Sequence, residues 1–145
     1  MGTYQHVLLA VDFSKEADYV GARAVALARE WGARITLLHV VAPVYQEPIY
    51  EGVTTLPLDI EAQLLDSARH AIADLAVRLG VPGAERRVEV GSPKTVILGT
   101  AAALGVDLIV LGSHGVHGLG LLLGSTANGV LHGARCDVLA VRVPS

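Results

Sequence analysis

The chain has 145 residues, 52% of them hydrophobic and 17% charged, which is enough for one substantial core and leaves no length for a second domain. Its formal charge of −3, with eleven lysines and arginines scattered rather than striped, excludes the basic field that a nucleic-acid partner needs. One cysteine, Cys136, excludes an intrachain disulfide framework and agrees with a reducing compartment.

The first residues, MGTYQHVLLAVDFSKE, carry no basic leader, and their apolar run is broken by Asp12, unlike a signal peptide. Nowhere do eighteen apolar residues run together, so a cytoplasmic chain with no membrane span is expected. His6 to Val11 reads as a short strand. Ser14 then caps a helix whose inward face is Ala17, Val20, Ala24, Leu27, Ala28 and Trp31, ended by Gly32. Arg34 to Val41 reads as a second strand. Pro43 to Leu58, PVYQEPIYEGVTTLPL, is long for a connection in a compact domain and suits a lid, a partner surface or a merely irregular excursion. Ile60, Leu64, Ala68, Ile72, Leu75 and Leu79 mark a long helix stopped by Gly80.

Arg87 to Val90 is a third, more polar strand, expected near an edge. Ser92 as N-cap with Pro93 behind it starts a helix running to about Leu104. Asp107 to Leu111 is the fourth strand, its apolar residues 108–111 continuous as in a strand buried on both faces. A helix from about Ser125 to Gly133 leads into a fifth strand, Asp137 to Val143. Five strands alternating with four helices predict a single α/β domain, a doubly wound parallel sheet with right-handed crossovers and helices on both faces.

The segment after the fourth strand, GSHGVHGLGLLLGST from Gly112 to Thr126, opens where such sheets bind ligands and closes on a helix start. Backbone N–H groups and hydroxyls of Gly124, Ser125 and Thr126 can converge there on an anion, and phosphate is the natural guess. Asp12, at the end of the first strand, suits a ribose hydroxyl or a phosphate-bound metal, or else it or Ser14 caps the next helix. Standard nucleotide signatures fail. There is no G-x-x-x-x-G-K-[ST], and Gly91, Lys94 and Thr95 echo only its tail. Gly118, Gly120 and Gly124 have the wrong spacing and position for a dinucleotide fingerprint. His114 and His117 lack a third ligand for zinc, and His39 reads as a hydrogen-bonded structural residue. Cys136 has no evident base nearby and reads as an inert thiol.

HVLLAVDFS at 6–14, ITLLHV at 35–40, GSPKTVILGTAAALGVDLIVLGSHG at 91–115 and LLLGSTANGVLHGARCDVLAVRV at 121–143 resemble the universal stress proteins in type and order over nearly the whole chain. The resemblance implies a Rossmann-like fold of the adenine nucleotide alpha hydrolase type. The nucleotide-binding branch of that family carries G-x-x-G, nine residues, then G-[ST]; here eight residues separate Gly115 from Gly124. On this resemblance Ala10, Val11 and Asp12 line the adenosine side, with Asp12 toward ribose or magnesium, and the Val40 backbone contacts adenine. Gly112, Ser113, His114 and Gly115 approach ribose and phosphates, and Gly124, Ser125 and Thr126 donate to phosphates.

The ligand implied is ATP or AMP. The resemblance also implies a homodimer formed through the last strand, Asp137 to Val143, which would cover an apolar edge. The function expected is a stress-response binding module. The alternative is a nucleotide-independent regulatory interaction protein of the same fold, in which the glycine loop is only a connection. A slow ATPase lacks a P-loop lysine and an obvious general base. A flavin carrier lacks an aromatic in the glycine loop to stack on the ring.

Overall fold

The computed structural model describes residues 3–43, 59–114 and 123–144. Nine elements alternate along them: β1 (His6–Val11), α1 (Ala17–Trp31), β2 (Arg34–Val41), α2 (Asp59–Arg78), β3 (Glu85–Val90), α3 (Pro93–Leu104), β4 (Leu108–Gly112), α4 (Ser125–Gly133) and β5 (Asp137–Val141). All strand pairs are parallel and the order is β3-β2-β1-β4-β5. The chain winds outward from β1 in one direction through β2 and β3, then returns and winds the other way through β4 and β5. The reversal falls between β1 and β4, where connections leave in opposite directions and a crevice opens at the strands' carboxyl ends.

Alternation along β1 divides the core. Val7, Leu9 and Val11 meet α1 and α2 through Val20, Ala24, Ala28, Ile72 and Leu75. Leu8 on the opposite face joins Leu38, Ile109 and Leu111 against Ile97 and Ala101 of α3 and Ala127 and Val130 of α4. Because both faces are covered, the central strands are continuous apolar runs, as the sequence predicts. Gly32 and Gly105, both at φ +65°, end α1 and α3 in the left-handed conformation that glycine adopts without a Cβ clash.

Five local expectations need correction. β4 runs from Leu108 to Gly112, one residue later than the expected Asp107 to Leu111. Ser14 does not cap α1: the helix begins at Ala17, the Ser14 carbonyl accepts the Ala17 N–H at 3.0 Å, and Glu16 stands at the cap with no side-chain bond. On α2, Ala68, Ile72 and Leu75 are buried but Leu64 is 43% exposed. A helix of 20 residues spans about 30 Å, whereas six-residue β3 spans about 20 Å, so the first turns of α2 overshoot the sheet. β3 begins at Glu85 rather than Arg87, because an edge strand tolerates charged residues that lower strand propensity. β5 stops at Val141, not Val143: Gly112–Val141 is the last register pair, and the Val141 carbonyl takes the Ser113 N–H as β4 ends. Most of the loop expected from Pro43 to Leu58 lies outside the described residues.

Candidate functional site

At the carboxyl ends of β1, β2 and β4 a cavity of about 710 Å³ opens on the α3–α4 side of the sheet. Its walls include Ala10, Val11 and Asp12 from β1 and the residue after it, Val40 at the end of β2, Gly112 from β4, and Gly124, Ser125 and Thr126 at the start of α4. Residues predicted from four separate segments thus meet at the crevice of the strand-order reversal. Leu38, Ala42, Pro93, Ile97, Leu111 and Ala127 add an apolar wall. Such a slot buries a flat ring on apolar carbon while a few polar groups orient it.

The polar groups come from two places. Asp12 is exposed, and its Oδ1 accepts the Ser14 N–H at 3.0 Å. Oδ2 has no hydrogen bond to any described residue. At α4, Gly124 occupies the N-cap and has no side chain to offer. The first N–H bonded back to it is that of Asn128, so the N–H groups of Ser125, Thr126 and Ala127 meet no acceptor among the described residues. Three such N–H groups at a helix start favour an anion.

The Gly124 N–H itself is already spent, donated to the Ser113 carbonyl at 2.6 Å. Gly124, expected as a phosphate donor, therefore has its own N–H occupied, and the N–H groups without an acceptor among the described residues are those of the three residues after it. Gly112 is closely packed: a Cβ there would lie 3.3 Å from the His114 carbonyl oxygen and 3.5 Å from Val20 Cγ2.

Ser113 and His114 do not line this cavity. Ser113 is 7% exposed, donates its N–H to Val141 at 2.8 Å, and pairs its Oγ with His114 Nδ1 at 3.0 Å. His114 faces a second crevice of about 900 Å³ on the α1 side, which shares Ala10, Val11, Asp12 and Gly112 with the first and is rimmed by Lys15, Tyr19 and Arg142. Gly115 and His117 lie outside the described residues.

One residue beside the site escapes the sequence reading. Phe13 has φ +56°, left-handed for a non-glycine residue. Its ring lies 4.2 Å from that of His39, tilted by 35°. His39 lines the cavity, and its Nδ1–H donates to the Val11 carbonyl at 2.6 Å. The structural role expected for His39 thus has a specific partner, one set by the strand register that places Val11 opposite His39.

Burial holds the Cys136 thiol above its ordinary range, with Asp137 and Asp107 adding to the effect, which keeps it protonated and inert at neutral pH. No group of three His, Cys, Asp or Glu side chains converges as a metal site among the described residues. No helix among them is long and apolar enough to cross a membrane.

The model of the universal stress protein family matches residues 3–142. Universal stress protein A homolog 2 of Coxiella burnetii is 40% identical over 144 residues, covering 99% of this chain and 98% of the relative. Among solved structures, the universal stress protein UspA from Lactobacillus plantarum superimposes with a TM-score of 0.76 at 28% identity, over 98% of this chain and 100% of the other. A universal stress protein crystallised in complex with cAMP matches at 28% identity and a TM-score of 0.64, over 95% and 96% of the two chains.

Proposed function

The chain belongs to the universal stress protein family, and from that premise we propose that the cavity at the β1–β4 reversal binds an adenine nucleotide, ATP or AMP, as the sensing step of a stress-response module. The observation that carries this reading is the convergence of Ala10, Val11, Asp12, Val40, Gly112, Gly124, Ser125 and Thr126 on one cavity with an apolar slot at one end and uncapped helix N–H groups at the other. The base fits between Val40 and the Pro93–Ile97 wall, the ribose beside Asp12, and the phosphates at the start of α4. The relative solved with cAMP supports the ligand class. Among the described residues Asp12 has one oxygen without a hydrogen bond and no cluster of three metal-ligating side chains forms beside it, so magnesium would be an ion carried by the phosphates, with Asp12 as one ligand.

We further propose a homodimer through β5. Val138, Leu139 and Ala140 are only half-buried on this edge strand, and an unguarded apolar edge invites pairing across a two-fold axis. Ala140, which belongs to neither core cluster, is the position to charge. Wild type should sediment as a dimer at micromolar concentration and Ala140→Lys as a folded monomer; a wild-type monomer overturns the dimer.

Mass spectrometry of denatured purified protein should release AMP or ATP. Either nucleotide at a hundredfold its dissociation constant should stabilise the fold by about 2.7 kcal/mol, a melting shift on the order of 5 to 10 °C. The competing reading, a nucleotide-independent interaction protein, draws on the Gly124 N–H closing on Ser113 within the protein itself. It prevails if millimolar ATP and AMP, with and without magnesium, leave the melting temperature unchanged.

A further inference from the structure

We infer that His39 is a positioning residue for Asp12, its imidazole holding the turn that presents the Asp12 carboxylate to the cavity. Asp12 Oδ1 accepts the N–H of Ser14 two residues on. A turn closed by a side chain in this way puts the intervening residue where a type II turn takes positive φ, the place of glycine. Phe13 occupies that place at φ +56° and is the one non-glycine residue with positive φ among the described residues. An aromatic side chain in the left-handed region persists only where its surroundings hold it there.

His39 supplies the hold from the neighbouring strand. Its Nδ1–H bonds the Val11 carbonyl at 2.6 Å and its ring packs 4.2 Å from that of Phe13. One side chain therefore fixes the residue before Asp12 and the residue after it. A carbonyl can only accept, so the tautomer of His39 is set with the proton on Nδ1. No hydrogen bond joins His39 to Asp12, and its influence passes through Val11 and Phe13.

The effect on ligand affinity rests on the nucleotide reading, whereas the effect on the turn does not. In His39→Leu, which loses donor and stack, hydrogen exchange of the Ser14 amide should rise about tenfold. Affinity for ATP with magnesium and for AMP, measured by calorimetry, should fall about tenfold. Adding Phe13→Gly to His39→Leu should restore most of the Ser14 protection, because glycine adopts positive φ without support.

In an Asp12→Ala background, His39→Leu should change affinity less than about twofold, since the residue through which it acts is gone. Should His39→Leu not fold, His39→Gln, which keeps a donor but not the stack, is read in the same way with effects of about threefold. Unchanged Ser14 exchange in the folded variant overturns the inference, as does an equal loss of affinity with and without Asp12. If wild type binds neither nucleotide while Ser14 exchange responds as stated, the nucleotide reading fails and the positioning role stands.

Discussion

At each end of β1 an aspartate and a histidine from β1 or its neighbours stand close to the strand, Asp107 and His6 at the amino end and Asp12 and His39 at the carboxyl end, and the two ends employ them differently. At the amino end, Asp107 accepts the Gln5 N–H on both oxygens, at 3.2 and 2.9 Å, and the His6 N–H at 3.0 Å. His6 is 3% exposed, with Nε2 2.7 Å from Thr36 Oγ1 and Nδ1 3.3 Å from Arg34. At the carboxyl end, among the described residues, Asp12 is exposed and takes a single N–H, while His39 bonds one carbonyl beside an open cavity. The residue types are identical; what differs is how much of their bonding capacity the fold consumes. A carboxylate whose oxygens are both occupied by backbone N–H groups belongs to the architecture. One with an oxygen to spare at a crevice of strand ends is placed to meet a ligand.

The comparison breaks first at Asp107. Asp107→Ala leaves the part-buried His6 N–H without its acceptor and should cost about 2 to 3 kcal/mol, lowering the melting temperature by on the order of 10 °C, with nucleotide affinity unchanged once the protein is folded. Loss of affinity with no loss of stability would reverse the assignment of the two ends. Asp12→Ala should do the opposite. Affinity for ATP and AMP should fall about tenfold, equivalent to about 1.4 kcal/mol, while the melting temperature of the free protein moves by no more than about 2 °C. Destabilisation with unchanged affinity would make Asp12 a turn-former only.

The two ends were not equally legible in the sequence. Asp12 stood out because a lone carboxylate closes an apolar strand just where parallel sheets bind ligands. Asp107 reads in the sequence only as the first residue of the fourth strand, since the N–H groups that its carboxylate accepts come from Gln5 and His6, about a hundred positions away in the chain. The apolar runs of β1 and β2 and the Ser92-Pro93 helix start show in local pattern alone, and their bounds match the structure. The partnership of His39 with Val11 and Phe13 depends on the register of two strands, and nothing local in Asp-Phe-Ser announces a left-handed phenylalanine. Ser113 and His114 are expected at the site from the resemblance alone, as the two residues between Gly112 and Gly115. Past the end of a strand, adjacency in sequence does not decide which face a side chain takes, and β5 claims the Ser113 N–H while His114 turns to the α1 side.

The smallest expected effect sharpens the comparison through pH. Burial holds the His6 imidazole below the ordinary histidine range, and the Arg34 guanidinium adds to this, while the Leu104 carbonyl, Glu85 and Asp107 act the other way and are outweighed. Arg34 can only donate, so Nδ1 is the acceptor and Nε2–H donates to Thr36; a second ring proton would face the guanidinium. The unfolded chain takes up a proton at about pH 6.5, whereas the folded chain resists until lower pH. Between those two values the unfolded state binds more protons, and stability falls as pH falls. The loss is absent above the unfolded value and stops growing below the folded one, with a slope bounded by one proton, about 1.4 kcal/mol per pH unit. Urea denaturation at pH 7.5 and 5.5 should show a lower midpoint at the acid value, and His6→Gln, with an amide that still reaches Thr36 and cannot charge, should narrow the difference. An undiminished difference in that variant would place the acid sensitivity elsewhere and remove His6 from the satisfied network that sets the amino end apart.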